Sequence, residues 1–307
     1  MENIPEQPAD DDVRRWLTER RNWGRWGEDD QRGAFNLTTP QTVVAAARLV
    51  QTGVRVSLAR PLPTEPGPSN PFPVIHTMRV HDHGRPNGSG ESGDTVTATW
   101  HGPLMTHIDA LCHVWDANGM WNGRDPQVEI GIGGSRWGGI EHWREGFISR
   151  GLLLDIPGHR NEPYVTQDRP VHGSELIEVA AASGLEPRPG DAIVVYSGQA
   201  AYEREQGPMR AELRPGLHAS CMPVLREWDC SMLLWDMQDL TPSGFASATW
   251  SVHGVIYAYG IALVDCVVLE PLVEQSRRHD RNEFMLVVLP LYIEGGTGSA
   301  VNPVAVF

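Results

Sequence analysis

Glycine and proline punctuate this chain heavily, 32 and 24 of them among 307 residues, so many turns and long ordered loops are expected and a helical bundle is not. The segments between them read as short elements of both kinds. A helix is expected over 38–52, where Thr38 or Thr39 can cap it, Pro40 suits its first turn, Ala45–Leu49 form its body and Gly53 ends it. Strands are read at 55–59, 74–80 and 95–100, the last alternating β-branched residues as a half-buried strand does. Further strands are read at 151–156, 191–198 and 232–237, and FMLVVLPLYI (284–293) reads as a fully buried one. Helices at 174–184, near 217–228 and at 252–260 complete the alternation. Residues 61–73 read as loop, 83–94 as the most mobile-looking stretch and 117–139 as turn-rich. Residues 1–21 read as a polar arm with a short helix around Val13–Arg20. No repeat or interior linker divides the remainder, so 22–307 is expected to form a single α/β domain with mixed sheets.

The charge balance restricts the partners. With 25 basic and 39 acidic residues the formal charge is −14, and such a surface repels nucleic acid and anionic lipid alike. No apolar run reaches the length of a membrane-spanning helix, and the acidic start MENIPEQPADDD has no signal-peptide core, so a cytoplasmic location is expected. Cys112, Cys221, Cys230 and Cys266 show no CxxC pair and no framework spacing, which reads as reduced structural thiols. Eleven tryptophans are many for this length; they serve either core packing or an aromatic-lined substrate pocket.

The densest set of potential ligands lies in HGPLMTHIDALCHV (101–114). His107 and Asp109 stand two apart, so on a strand both side chains leave the same face. His113 follows four residues after Asp109, within reach of a single helical turn. Imidazole with carboxylate suits Zn²⁺, Mn²⁺ or Fe²⁺, although histidines in this pattern also occur as packed or surface residues. A second cluster, WSVHGVIYAYGIALVD (250–265), opens an apolar helix with His253 and places Asp265 beyond the glycine that ends it. By itself His253 reads as a capping or packed histidine and Asp265 as a turn residue.

The two clusters in this order resemble the putative cyclase family, whose better-known members include bacterial kynurenine formamidase and isatin hydrolase. THIDALCH (106–113) resembles its central T-H-x-D-A-x-x-H motif. NWGRWGEDDQRGAFNLTTP (22–40), GLLLDIPGH (151–159), RPGDAIVVYSG (188–198), RPGLH (214–218), DMQDLTPSG (236–244) and VHGVIYAYGIALVDCVVLEPL (252–272) match further blocks, so the resemblance spans roughly 22–300. It implies the swivelling β/β/α architecture, a homodimer or homotetramer, and a divalent metal, zinc or manganese foremost. It implies His107 and Asp109 as metal ligands, Asp109 bridging if two ions bind. His113, His253 and Asp265 would complete a second metal position or, for the two histidines, supply the acid or base.

That resemblance implies hydrolysis of a C–N bond in an aryl formamide, of the N-formylkynurenine class, or in a small cyclic amide. A bound divalent cation lowers the pKa of water from about 15.7 towards about 7, and a nearby imidazole passes a proton to the departing nitrogen. Ring closure or dehydration on the same scaffold, or a metal-free binding protein, are the rival readings. Trp100, Trp115, Trp121 and Trp250 flank the clusters and would suit a small aromatic substrate. One departure stands out. The family's first ligand, four residues before the second, is Pro103 here, which cannot bind a metal. His101 is the nearest substitute, but on a regular strand its Cα would be displaced by about 6.6 Å, so either a break at Gly102 and Pro103 brings it back or it stays outside the site.

Overall fold

The computed structural model describes residues 4–5, 7–67, 69–210, 212–248 and 250–307; residues 1–3 and 6 of the N-terminal arm and residue 68 of the 61–73 loop lie outside the described residues. The helices are α1 (Asp10–Thr18), α2 (Pro40–Ala47), α3 (Pro126–Glu129), α4 (Ile156–Arg160), α5 (Gly173–Ala182), α6 (Gln199–Gln206), α7 (Cys221–Glu227), α8 (Gly254–Tyr259) and α9 (Glu270–His279). The strands are β1 (Arg55–Ser57), β2 (Ile75–Asp82), β3 (Gly90–Thr97), β4 (His107–Asp109), β5 (Ile130–Gly131), β6 (Gly134–Ser135) and β7 (Phe147–Asp155). They continue with β8 (Ala192–Tyr196), β9 (Met232–Trp235), β10 (Ala262–Asp265), β11 (Glu283–Val288), β12 (Gly298–Ala300) and β13 (Val304–Val306).

Among the described residues the main sheet carries nine strands in the order β1-β13-β11-β7-β8-β9-β10-β4-β12. Its centre, β7 to β10, is parallel, and antiparallel strands extend it on both sides. The centre is parallel because its strands are apolar almost throughout. AIVVY, MLLW and ALVD are buried at every position, as strands covered on both faces must be. Helices α5, α7 and α8 fall between successive parallel strands and supply the crossovers such a topology requires. The chain is thus an α/β domain built on one large mixed sheet, as its pattern of elements indicates. Helix α2 begins where its cap predicts: the Thr39 hydroxyl accepts from the Thr42 N–H and Pro40 occupies the first turn.

Four expectations are corrected. The apolar run 284–293 is not a fully buried strand: β11 ends at Val288, its burial alternates, and Leu289, Leu291 and Tyr292 are exposed. Pro290 has no N–H to give a ladder, which ends the pairing there. Residues 83–94 are not simply loop, because β3 starts at Gly90 and pairs with β2 from Asp82↔Gly90 to Ile75↔Thr97. Nor is 95–100 half-buried; β2 and β3 form a projecting hairpin with nearly every side chain exposed. Backbone hydrogen bonds hold a ladder without apolar side chains, so composition concealed it. Helix α7 starts at Cys221, since Leu217 is extended and bridges Val171 and Asp239. Helices α6 and α9 add to the elements that the sequence pattern indicates.

Helix α1 anchors the polar arm to the domain. It buries Val13, Trp16 and Leu17 and packs on α8, with the Trp16 carbonyl accepting from the Tyr259 hydroxyl at 3.1 Å. Leu17 lies so close to Gly254, the first residue of α8, that a Cβ there would come within 2.6 Å of it. Trp16→Ala should therefore cost about 3–5 kcal/mol, the range for emptying a buried aromatic site, read as a lowered urea midpoint. An unchanged midpoint would show that α1 is not part of the cooperative core.

Candidate metal centre

Strand β4 begins the site. Its pleat sends His107 and Asp109 to one face while Ile108, fully buried, points into the core on the other. The β4–β10 register sets Asp265 directly opposite His107, so a third ligand-type side chain joins that face through backbone pairing alone. Asp265 is the last residue of β10 and not a turn residue, contrary to the local reading. On the other flank Gly298 of β12 stands opposite Asp109. A Cβ on Gly298 would lie 2.8 Å from the His101 ring and 2.5 Å from the Ile108 carbonyl oxygen, so only glycine leaves room for that imidazole.

His101 does reach the cluster. Residues 100–105 are irregular, and the ring sets Nδ1 2.8 Å from Asp109 Oδ1 and Nε2 2.9 Å from Thr297 Oγ1. His113 comes from the turn after β4, closed by its N–H donating to the Ala110 carbonyl at 3.0 Å. Its ring stacks on His101 with centroids 3.5 Å apart, and its Nε2 lies 3.9 Å from Asp109 Oδ1. His253 enters from the start of α8, with Nε2 3.3 Å from Asp265 Oδ2 and 3.7 Å from Asp109 Oδ2. All six candidate residues thus converge, although the sequence separates them by up to 164 positions (101 to 265).

The cluster is deeply buried but for one edge. Asp109, His107 and Asp265 are essentially inaccessible, whereas the His101 and His113 side chains are 22% and 23% exposed and form the open side. Trp121 lies in the core, donating to the Asp30 carbonyl, so it cannot line this opening. Trp250 and Trp115 are half exposed, the former with its ring 6.3 Å from that of His253. Two surface cavities of about 640 and 760 Å³, beside Ile132 and Tyr292 and beside Arg150 and Arg277, do not include these residues.

Burying carboxylates this deeply is costly unless positive charge accompanies them. Burial pushes the Asp109 carboxyl up, but the charges of His113 and His107 and the hydrogen bonds of His101 and His107 hold it well below the usual range. Burial likewise pushes His107 down, yet Asp109 and Asp265 prevail and lift it to about 9. His253 is lifted well above its ordinary value: burial opposes the charge, and Asp239 and Asp265 overcome it. His113 goes the other way, to about 4, because burial and the neighbouring imidazoles outweigh Asp109.

The donor set fits a divalent cation. Asp109 Oδ2 is buried and without a hydrogen-bond partner. His107 Nδ1 faces the Met105 carbonyl at 2.7 Å, so it carries the proton and leaves Nε2 aimed at Asp109 Oδ1 (3.3 Å) and Asp265 Oδ2 (3.9 Å). In the metal-free protein Nε2 can carry a proton towards these carboxylates, and a cation that displaces it meets one nitrogen and two carboxylates there. Two sets could hold one, His101–Asp109–His113 and His107–Asp109–Asp265, each with donor atoms within 4.8 Å of one another. They share Asp109, and mixed nitrogen and oxygen donors suit zinc, manganese or iron.

Several surrounding residues were not singled out by the sequence. The Trp235 indole and the Gln238 amide donate to Asp265, Asp239 binds His253, and Thr297 binds His101. Asp239 and Gln238 fall in the DMQDLTPSG block, but nothing in that block distinguishes Asp239 from Asp236. Asp236 instead accepts the backbone N–H groups of Ser197, Gly198 and Gln199.

Carboxylates and imidazoles gathered on one face of the strands β4 and β10 make a donor set that could hold a divalent cation. The chain belongs to the putative cyclase family, whose model matches residues 35–241. A solved structure described as a novel cyclase is similar at 29% identity with a TM-score of 0.80, over 94% of this chain and 99% of that one. Isatin hydrolase A from Ralstonia solanacearum shares the fold at 17% identity and a TM-score of 0.56, over 87% and 97% of the two chains. Isatin hydrolase A from Labrenzia aggregata, bound to benzyl benzoate, does so at 16% and 0.55, over 86% and 97%. No curated protein matches the chain. No helix among the described residues is long and apolar enough to cross a membrane.

The charge pattern gives a pH test. With its pKa at about 9, His107 is protonated at neutral pH in the metal-free protein, and ligation through Nε2 must displace that proton. Zinc affinity should therefore rise with pH between about 6 and 9, by up to about tenfold per unit for one proton displaced. Calorimetry in buffers of different ionisation enthalpy measures the protons released; a flat affinity with no release would remove His107 from the ligand set.

Proposed function

We propose that this protein is a divalent-metal-dependent hydrolase of a C–N bond in an aryl formamide or small cyclic amide. The observation that carries this reading is Asp109: one fully buried carboxylate, shared by two ligand sets, with an oxygen that has no hydrogen-bond partner among the described residues. His107, Asp109 and Asp265 would hold the cation, and His101 would take the place that Pro103 leaves vacant. The bound cation supplies Lewis acidity and a water ionised at neutral pH.

The chain's own residues supply the rest. His113 is neutral at pH 7, lies on the open edge and is fixed by stacking on His101, so it can accept a proton and return it to a departing nitrogen. Trp250, half exposed with its ring 6.3 Å from that of His253, offers an apolar face that suits an aromatic substrate. The fold shared with the isatin hydrolases supports the same class, since isatin is an aromatic lactam. Ring closure is the second reading, favoured by the 29%-identical structure described as a cyclase. The surface charge of −14 argues against nucleic acid as a partner.

Turnover of N-formylkynurenine, formanilide and isatin by zinc- or manganese-loaded protein tests this reading. Asp109→Ala should lose both metal and activity. His113→Ala should keep the metal held by His107, Asp109 and Asp265 and lose about 10²–10⁴ in kcat, the usual value of a general acid–base group. Loaded protein that hydrolyses none of the three would move the assignment to ring closure. Full metal content in Asp109→Ala would end the ligand assignment.

A further inference from the structure

The carboxylate of Asp239 is engaged entirely by one other residue. One oxygen accepts the His253 backbone N–H at 3.1 Å and the other is in close contact with His253 Nδ1. Asp239 is only 4% exposed, so water does not compete for it. Because an ionised carboxylate only accepts, Nδ1 must carry a proton, so Nε2 is the nitrogen left for a cation to bind. Nε2 points at Asp265 Oδ2 and at the unsatisfied Asp109 Oδ2. The backbone bond fixes where α8 starts, and the side-chain bond fixes the ring's rotation about it.

We propose that Asp239 is a positioning residue: it sets the tautomer and orientation of His253 so that Nε2 serves as a ligand on the Asp109 Oδ2 side of the centre. The inference rests on the metal-dependent reading above. Carboxylates behind a ligating imidazole act this way because they lock the ring and increase its basicity, and their loss costs about 10–100-fold in metal affinity. Nothing near Asp239 in sequence marks it. Leu217, in a separate block, pairs beside it as a short parallel bridge and fixes its backbone.

Asp239→Asn separates positioning from a merely structural role. Asparagine has one acceptor oxygen, which can satisfy the His253 backbone N–H or the ring but not both. If Asp239 only caps α8, the variant should bind zinc as the wild type does. If it orients the ring, zinc affinity should fall about 10–100-fold while the thermal midpoint stays close to that of wild type. The zinc-loaded wild type should also show a downfield, slowly exchanging ring proton on Nδ1, assigned by its loss in His253→Gln and absent in Asp239→Asn. Zinc affinity within about twofold of wild type in Asp239→Asn, against the larger loss this role entails, overturns the proposal. So does a zinc-loaded wild-type spectrum with a proton on His253 Nε2, a measurement that needs no variant to fold. Zinc uptake abolished by Asp109→Ala but untouched by Asp239→Asn would overturn this inference alone; wild-type protein that takes up no zinc overturns the metal reading with it.

Discussion

The pairing of two short strands underlies the whole centre. Antiparallel β4 and β10 meet in one register, and that register places Asp265 opposite His107 and turns Asp109 to the same face. A slip of one residue would leave His107 and Asp109 on the opposite face from Asp265. The register is held from behind: Ile108 and Val264 are fully buried, so the apolar alternation of these strands admits only one pairing. A core constraint therefore fixes a polar geometry.

Carboxylates gathered so deeply shape everything around them. Asp265 receives an indole N–H and an amide as well as His253; Asp239 is spent on His253; Asp109 faces three further imidazoles. One Asp109 oxygen stays unmatched amid this satisfaction. A fully compensated network would be a structural device, whereas a network with one oriented vacancy is a receptor for charge. The open edge at His101 and His113 gives that receptor its access.

The departure at Pro103 shows how an imidazole can reach the cluster from another position. His101 is two residues too early for a regular strand, but the chain between Trp100 and Met105 is irregular and brings the ring back over Asp109. This works only because β12 presents Gly298 at the facing position, where any side chain would occupy the volume of the ring. The arrangement thus depends on a histidine and a proline in one short stretch and on a glycine far along the chain that no local pattern connects to them.

The sequence by itself determined the family, through the order of its blocks, and the α/β class, and it marked His107, Asp109 and His113 as candidate ligands, because a period of two on a strand and a four-residue turn are local facts. It also located His253 and Asp265, though only through the order of blocks and without their relation to β4. Tertiary structure alone decided that Asp265 is a strand residue opposite His107, that Trp121 belongs to the core, and that a ladder runs through the glycine-rich stretch after 83. It alone brought Asp239, Gln238, Trp235, Thr297 and Gly298 to the site. Strand register and the burial of charge are set by which segments meet across the sheet, and that depends on packing between residues far apart in the chain.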